Sequence, residues 1–192
     1  MISTAPTPTI EAAGIVSRVR ELAGDASEGG RVVRGDPVVE ISSDAVNTLA
    51  EALRDDAELG FEQLIDLTAV HWPADVGREF ELVYQYRSLS NNLFLRVKTR
   101  VCDGGSVATL AHTYQSARWL EREVHDLFGV RFEGHPDLRR VLLPEGYEGH
   151  PLRKDYPVEG PTFPEDAHRN DLFGQLDPDD FWDEPEAGAS GS

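Results

Sequence analysis

Apolar and polar positions alternate most regularly in the middle of the chain. Residues 80–87 place an apolar or aromatic side chain at every second position, and residues 93–100 repeat this period of two after an Asn91-Asn92 turn. A third β-rich run covers residues 61–72. Because each run has a polar side, the pattern predicts an antiparallel sheet with one face toward water. The aromatic stripe from Phe80 to Tyr86 is expected to form the core of this sheet.

A period close to 3.6 residues predicts three helices elsewhere in the chain. They are expected at residues 10–24, about 43–59 and about 114–128. Ser42 or Ser43 is predicted to cap the second helix, and Gly129 stands where a left-handed cap would end the third. We expect Trp119 to pack between the third helix and the sheet.

Shorter extended segments complete the predicted elements. Residues 31–34 form a short extended piece inside a Gly-rich loop, and strands are expected at residues 38–41 and 107–110. These elements predict an α+β fold, with a small, mostly antiparallel sheet, helices packed on one face, and an extended Pro/Gly-rich C-terminal arm. The predicted boundaries are a disordered N-terminus at 1–8, the α+β domain at 9–130, the arm at 131–174, and a disordered acidic tail at 175–192.

The predicted arm has an unusual composition. Six prolines and four glycines fall within residues 131–164, which prevents long helices and central strands. The same segment keeps apolar side chains such as Leu142, Leu152 and Tyr156, which a flexible linker would rarely carry. An extended arm laid against another surface explains this mixture.

Charge excludes several classes of partner. The chain has 18 basic and 35 acidic residues and a net charge of −17, which disfavours binding to nucleic acid or to an anionic lipid surface. The single cysteine, Cys102, can form neither an internal disulfide nor the thiolate set of an iron–sulfur cluster. No apolar run approaches the roughly 20 residues that cross a bilayer, and the first ten residues lack the pattern of a secretory signal. Any membrane location is therefore expected to come through a partner.

Four ordered sequence blocks follow one another in residues 121–157. They are EREVHDLFG at Glu121–Gly129, GHPDLRR at Gly134–Arg140, LLPE at Leu142–Glu145 and GHPLRKDYP at Gly149–Pro157. These blocks resemble the thirty-kilodalton subunit family of respiratory complex I, whose bacterial members are known as the C subunit. The resemblance implies a compact α+β domain with an extended C-terminal segment, and no flavin or iron–sulfur cluster in this subunit.

The resemblance also implies a function and a partner. The expected role is that of a non-catalytic structural subunit in the peripheral arm of a proton-pumping NADH:quinone oxidoreductase, on the cytoplasmic side of the cell membrane. In that enzyme electrons pass from NADH through FMN and iron–sulfur clusters, all on other subunits, to quinone. The chief partner implied is the neighbouring large subunit that helps form the quinone pocket.

Charged residues in these blocks are the candidate partner-binding site. They are Glu121, Arg122, Glu123, Asp126, His135, Asp137, Arg139, Arg140, His150, Arg153, Lys154 and Asp155. The acidic groups of the third helix are predicted to pair with arginines of the following segment, because arginine binds carboxylates through two parallel hydrogen bonds. Residues 118–157 hold seven basic and eight acidic side chains, a balance that suits an interface. A solvated charged face, opposite an apolar side formed by Leu120, Val124, Leu127 and Phe128, is the simpler alternative.

Within the arm, Arg139 and Arg140 are neighbours in an extended segment, so their side chains should point in opposite directions. One is expected to face this domain and the other to face the partner. We expect at least one of them to pair with a buried carboxylate across that boundary.

Two other functions compete with the leading one. One is the equivalent subunit of a related membrane-bound hydrogenase or ferredoxin-dependent complex. The other is a metal-dependent hydrolase that uses His125, His135 and His150, but their spacing matches no zinc or di-iron ligand pattern. The chain has no nucleophile elbow and no phosphate-binding loop. We therefore expect no catalytic residue, metal or cofactor in this chain.

Overall fold

The structure is a computed structural model and describes residues 10–144 and 147–158. The predictions for the N-terminus at 1–8, for the acidic tail at 175–192 and for the arm beyond residue 158 lie outside the described residues. Within the described part, none of the helices is both long and apolar enough to cross a membrane.

Three α-helices and seven strands form the part of the chain that the structure describes. The helices are α1 (Ala12–Ala23), α2 (Val46–Asp55) and α3 (Ala117–Phe128). The strands are β1 (Ser27–Val33), β2 (Asp36–Ile41), β3 (Gln63–His71), β4 (Phe80–Ser88), β5 (Leu93–Val101), β6 (Ser106–Ala108) and β7 (Arg131–Glu133).

The main sheet has five strands in the order β1-β2-β5-β4-β3. Neighbouring strands run antiparallel except β2 and β5, which run parallel with Val39 opposite Val97. The segment between those two strands contains α2, β3 and β4, which gives the long connection that a parallel pair requires. Strands β6 and β7 form a separate parallel pair. The predicted α+β class with a mostly antiparallel sheet is confirmed.

Burial along β4 and β5 follows the predicted period of two. Phe80, Leu82, Tyr84 and Tyr86 are buried, while the residues between them are only partly covered. Helix α1 packs on β1 and β2, and α3 packs on β3. Burying a large apolar side chain stabilises a fold by about 1.5–3 kcal/mol, so this stripe explains why the sheet and the helices form one core.

Two predicted elements differ from the structure. Helix α2 ends at Asp55, four residues before the predicted end, and neither Ser42 nor Ser43 caps it with a side-chain hydrogen bond. The helix stops because the Asp56 carboxylate accepts the backbone N–H groups of Glu58 and Leu59, each at 2.9 Å, and so offers them an alternative to helical bonds. Residues 31–34 do not form an isolated piece in a loop, because β1 starts at Ser27 and pairs with β2.

Candidate functional site

The described part of the arm returns along α3, the helix that precedes it. Its first residues form β7 beside β6, and residues 134–144 and 147–158 then pass α3 from its first turn to its C-terminal end. The arm therefore lies against its own domain along the described part. The prediction that acidic groups of α3 hold the following segment is met at one residue, Asp126.

Asp126 is the centre of this contact. Its fully buried carboxylate accepts a hydrogen bond from Nη1 of Arg140 at 2.7 Å. Its other oxygen accepts the successive backbone N–H groups of Val141, Leu142 and Leu143 at 3.0, 2.8 and 2.9 Å. Burial acts to raise the pKa of Asp126, but these three N–H groups and the guanidinium outweigh burial, so its pKa is lowered. The carboxylate is thus held ionised and fixes the arm on α3.

The C-terminal end of α3 is covered by the second half of the arm. A helix leaves its last four carbonyl groups without partners inside the helix. In this structure the carbonyl of Asp126 faces Nδ1 of His150 at 2.8 Å, and the carbonyl of Leu127 accepts the N–H of Leu152 at 3.1 Å. The carbonyl of Phe128 accepts Nε of Arg153 at 2.7 Å. The GHPLRKDYP block therefore acts as the cap of α3.

Gly129 is required at the end of α3 for two reasons. Its φ of +81° lies in the left-handed region, as the sequence predicted, and its N–H donates to the carbonyl of His125 at 2.9 Å. A Cβ atom at this position would also come within 2.7 Å of the His150 ring. The arm can approach the helix end this closely only because residue 129 has no side chain.

Arg153 joins the arm to the main sheet. Its Nη1 and Nη2 atoms donate to the two carboxylate oxygens of Asp103 at 3.2 and 2.8 Å, and its guanidinium lies 4.9 Å from the ring centre of Phe80. The Arg153 hydrogen bond is the main reason that the pKa of Asp103 is lowered. Next to it, the N–H of Lys154 donates to Nδ1 of His71 at 2.9 Å. The described end of the arm is thereby tied to β3, β4 and the turn after β5.

The first half of the arm is held by Arg122. Its Nε and Nη2 atoms donate to the carbonyls of Arg139 and Arg140 at 2.9 and 3.1 Å. Nearby, the imidazole of His135 faces the carbonyl of Arg118 with Nε2 at 3.1 Å and accepts the N–H of Asp137 at Nδ1 at 3.0 Å. An acceptor at Nδ1 requires a neutral ring, so Nε2 carries the proton.

The side chains of Arg139 and Arg140 point in different directions, as predicted for neighbours in an extended segment. Arg140 points inward to Asp126, whereas Arg139 lies at the surface and holds Asp137 with both Nε and Nη2, at 2.7 and 2.8 Å. The carboxylate that Arg140 binds belongs to this chain. The prediction that one arginine pairs across the boundary with a partner remains a proposal.

Glu121 does not lie on a charged surface, and this part of the prediction was wrong. Its side chain is fully buried, and it accepts hydrogen bonds from Oγ1 of Thr109 at 2.5 Å and the N–H of Leu110 at 2.6 Å. Burial raises its pKa to about 7, because removal from water disfavours the charged form. Glu121 shares the core side of α3 with Val124 and Phe128, so the predicted separation of charged and apolar sides does not hold. A partner cannot reach Glu121 in this conformation.

The remaining predicted residues lie at the surface of the domain. Glu123 and Lys154 are exposed, and Asp155 is exposed with one oxygen 3.7 Å from Nδ1 of His71. Their predicted role as partner-binding residues stays a prediction. Asp103 and His71 were missed because they lie 50 and 83 residues before their arm contacts, and no local pattern connects such distant positions.

The three histidines of the alternative hydrolase are engaged with backbone groups. His125 faces the carbonyl of Val130 with Nδ1 at 2.8 Å, while His135 and His150 face those of Arg118 and Asp126. Among residues 10–144 and 147–158, no three His, Cys, Asp or Glu side chains are grouped so that they could hold a metal ion.

Comparisons with known proteins identify relatives of this chain. The family model described as "Respiratory-chain NADH dehydrogenase, 30 Kd subunit" matches residues 39–162. The C subunit of the NADH-quinone oxidoreductase of Rhodobacter capsulatus is 44% identical over 129 residues, which are 67% of this chain and 64% of that protein. The same-named protein of Cereibacter sphaeroides is 40% identical over 148 residues, 77% of this chain and 74% of that protein.

Two solved structures have a similar fold. One is a chain of the membrane-bound sulfane sulfur reductase, an archaeal respiratory membrane complex. It has a TM-score of 0.62 and 28% identity, and the match covers 91% of this chain and 96% of that chain. The other is a trypsin-resistant fragment of Nqo5, with a TM-score of 0.53 and 26% identity over 65% of this chain and 96% of the fragment. The family model covers more than half of the chain and the two relatives are at least 40% identical, so the chain belongs to the family of the 30 kDa subunit of respiratory-chain NADH dehydrogenase.

Proposed function

We propose that this chain is a structural subunit in the peripheral arm of a proton-translocating NADH:quinone oxidoreductase, held on the cytoplasmic side of the cell membrane through the complex. Electron transfer from NADH through FMN and iron–sulfur clusters to quinone takes place on other subunits. The chain holds the neighbouring large subunit of the quinone site. Family membership supports this role, because the relatives that match most of the chain are named as the C subunit of this enzyme.

The observation that carries the proposal is the way the arm is fixed. Asp126 and the end of α3 hold the arm backbone from the inside, while Val141, Leu142 and Leu152 point away from the domain and are exposed. A rigid segment that presents apolar side chains loses little conformational entropy on binding. The arm is thus a preformed surface that can seat a neighbouring subunit.

Leu142 gives the sharpest test of this surface. Its side chain is 58% exposed, so Leu142→Asp should leave the fold intact but place a charge in the contact with the large subunit. We expect less of that large subunit to co-purify with a tagged chain from membranes, with unchanged turnover in each complex that does assemble. Val76→Asp is the matched control, because Val76 is 89% exposed on the loop before β4 and lines a surface to which no arm residue contributes. Equal co-purification with both variants would contradict the arm as the contact surface.

A second candidate is supported by the archaeal structure, whose match covers 91% of this chain at 28% identity. In that case the chain occupies the same structural role in a respiratory membrane complex of another type. Identification of the co-purifying subunits separates the two. A flavin-containing, NADH-binding subunit supports the first candidate, and its absence from an otherwise intact complex supports the second.

A further inference from the structure

Trp119 lies on the outside of α3, in contrast to the prediction that it packs against the sheet. Its side chain is 63% exposed. The helix buries Ala117 and Glu121, and a residue midway between two such positions points to the opposite side. A single exposed apolar side chain is common on protein surfaces, so the case for a contact at Trp119 rests on the groups that surround it.

The indole of Trp119 is held in place before any partner binds. The Arg122 guanidinium lies 4.9 Å from the centre of the ring, within the range of a cation–π contact. Arg122 is itself fixed by its hydrogen bonds to the carbonyls of Arg139 and Arg140. A stacked and immobilised aromatic ring reduces the entropy lost on binding.

Positive charge surrounds this ring. Trp119 lines a surface pocket of about 250 Å³ together with Arg118, Arg122, His135, Pro136 and Asp137. Asp137 is bound by both donor groups of Arg139, so its charge is offset locally. The two guanidinium groups that line the pocket, those of Arg118 and Arg122, thus outweigh its one carboxylate, on a chain with a net charge of −17.

We propose that Trp119 and Arg118 form a docking anchor for an acidic segment of a partner protein. The proposal rests on the function proposed above, in which the partner is another subunit of the same complex. The indole supplies apolar contact area, and the arginine beside it can bind a carboxylate through two hydrogen bonds. Tryptophan and arginine are the residue types that contribute most often to the binding energy of protein interfaces. Anionic lipid and nucleic acid are disfavoured because the rest of the chain would repel them.

Photo-crosslinking in the intact complex tests the anchor directly. A photoreactive phenylalanine analogue placed at position 119 should crosslink to a segment of another subunit that is rich in Asp and Glu. The same analogue at position 72 is the control, because Trp72 is 45% exposed and lies 5.7 Å from the Arg100 guanidinium on the open face of the sheet. A crosslink from position 119 to lipid, to a segment without acidic residues, or to nothing would overturn the proposal.

Substitutions give a quantitative test in the full complex. Trp119→Ala or Arg118→Glu should weaken retention of this subunit roughly 10- to 30-fold in a salt wash, a loss typical of central interface residues. Arg118→Lys should retain more of the subunit than Arg118→Glu does, and Trp72→Ala should leave retention unchanged. Thermal unfolding of each purified chain checks that the fold is intact. If Trp119→Ala behaves like Trp72→Ala while the wild-type chain still co-purifies with its subunits, the anchor is wrong and the proposed function stands. If the wild-type chain co-purifies with no such subunit, both are wrong.

Discussion

The Asp126 carboxylate and the Arg140 guanidinium form an ion pair 2.7 Å long that joins α3 to the arm. Asp126 is fully buried, whereas the Arg140 side chain remains 27% exposed. The same carboxylate also accepts three backbone N–H groups of the arm. One buried side chain therefore binds the Arg140 guanidinium and sets the path of the arm backbone. This relationship makes the arm a part of the domain that precedes it.

Arg140 should matter to the arm far more than its neighbour Arg139. Arg140→Ala leaves the buried Asp126 without its counter-ion, and we expect the free energy of unfolding to fall by about 1–3 kcal/mol. Arg139→Ala removes a surface pair with Asp137 that water and salt screen, and should change the free energy of unfolding far less. Chemical denaturation and amide exchange of residues 141–143 measure both effects. Equal effects of the two variants would show that the Asp126 contact does not hold the arm.

Stability should depend on pH through Glu121. Its folded-state pKa is raised to about 7 from an ordinary value of 4.5, so the folded state binds more protons than the unfolded state between these values. The contribution of Glu121 to the free energy of unfolding is therefore fully present below about pH 4.5 and is lost as pH rises through about 7. Glu121→Gln should remove this dependence and raise stability near pH 8 by roughly 1–3 kcal/mol. Glu123→Gln, at an exposed position on the same helix, is the control.

The contact of His135 with the arm should weaken in acid. Burial is the main cause that lowers the pKa of His135 below 6.5, and the charges of Arg122 and Arg118 add to it, while the hydrogen bond to the Arg118 carbonyl and the charge of Asp137 oppose it. The unfolded chain therefore takes up the proton first, so full stability is present above about pH 6.5 and is lost as pH falls through the folded-state pKa. Protonation also removes the Nδ1 acceptor of the Asp137 N–H. The protection factor of the Asp137 amide, which is corrected for the intrinsic pH dependence of exchange, should fall as pH is lowered through the folded-state pKa of His135, and an unchanged protection factor would contradict the neutral ring.

Substitution of Gly129 should be destabilising both because of its positive φ and because of its contact with His150. Gly129→Ala introduces left-handed strain of about 1–2 kcal/mol and drives a methyl group to within 2.7 Å of His150. Gly104→Ala is the matched control, since its φ of +73° is similar and nothing lies within 4 Å of the new Cβ. We expect a larger loss of unfolding free energy at position 129, together with faster amide exchange at Leu152. An equal loss at both positions would mean that the arm does not pack on the helix end.

The amino-acid sequence by itself determined the elements whose pattern is local. Alternation in β4 and β5, the left-handed end of α3 at Gly129, and the four blocks that indicate the family can all be read without distant contacts. Periods of 2 and 3.6 residues reflect which side of a strand or helix is covered, so they are reliable where one side faces the core and the other faces water.

Only the tertiary structure decided which sides of α3 are covered. This helix contacts the sheet on one side and the arm on another, so Glu121 and Asp126 are both buried while Trp119 is exposed. A sequence period cannot separate these cases, because a polar residue that finds internal donors is buried without changing the pattern. Asp103 and His71 accept hydrogen bonds from Arg153 and Lys154 of the arm. These residues are brought together only by the packing of the sheet against the end of α3.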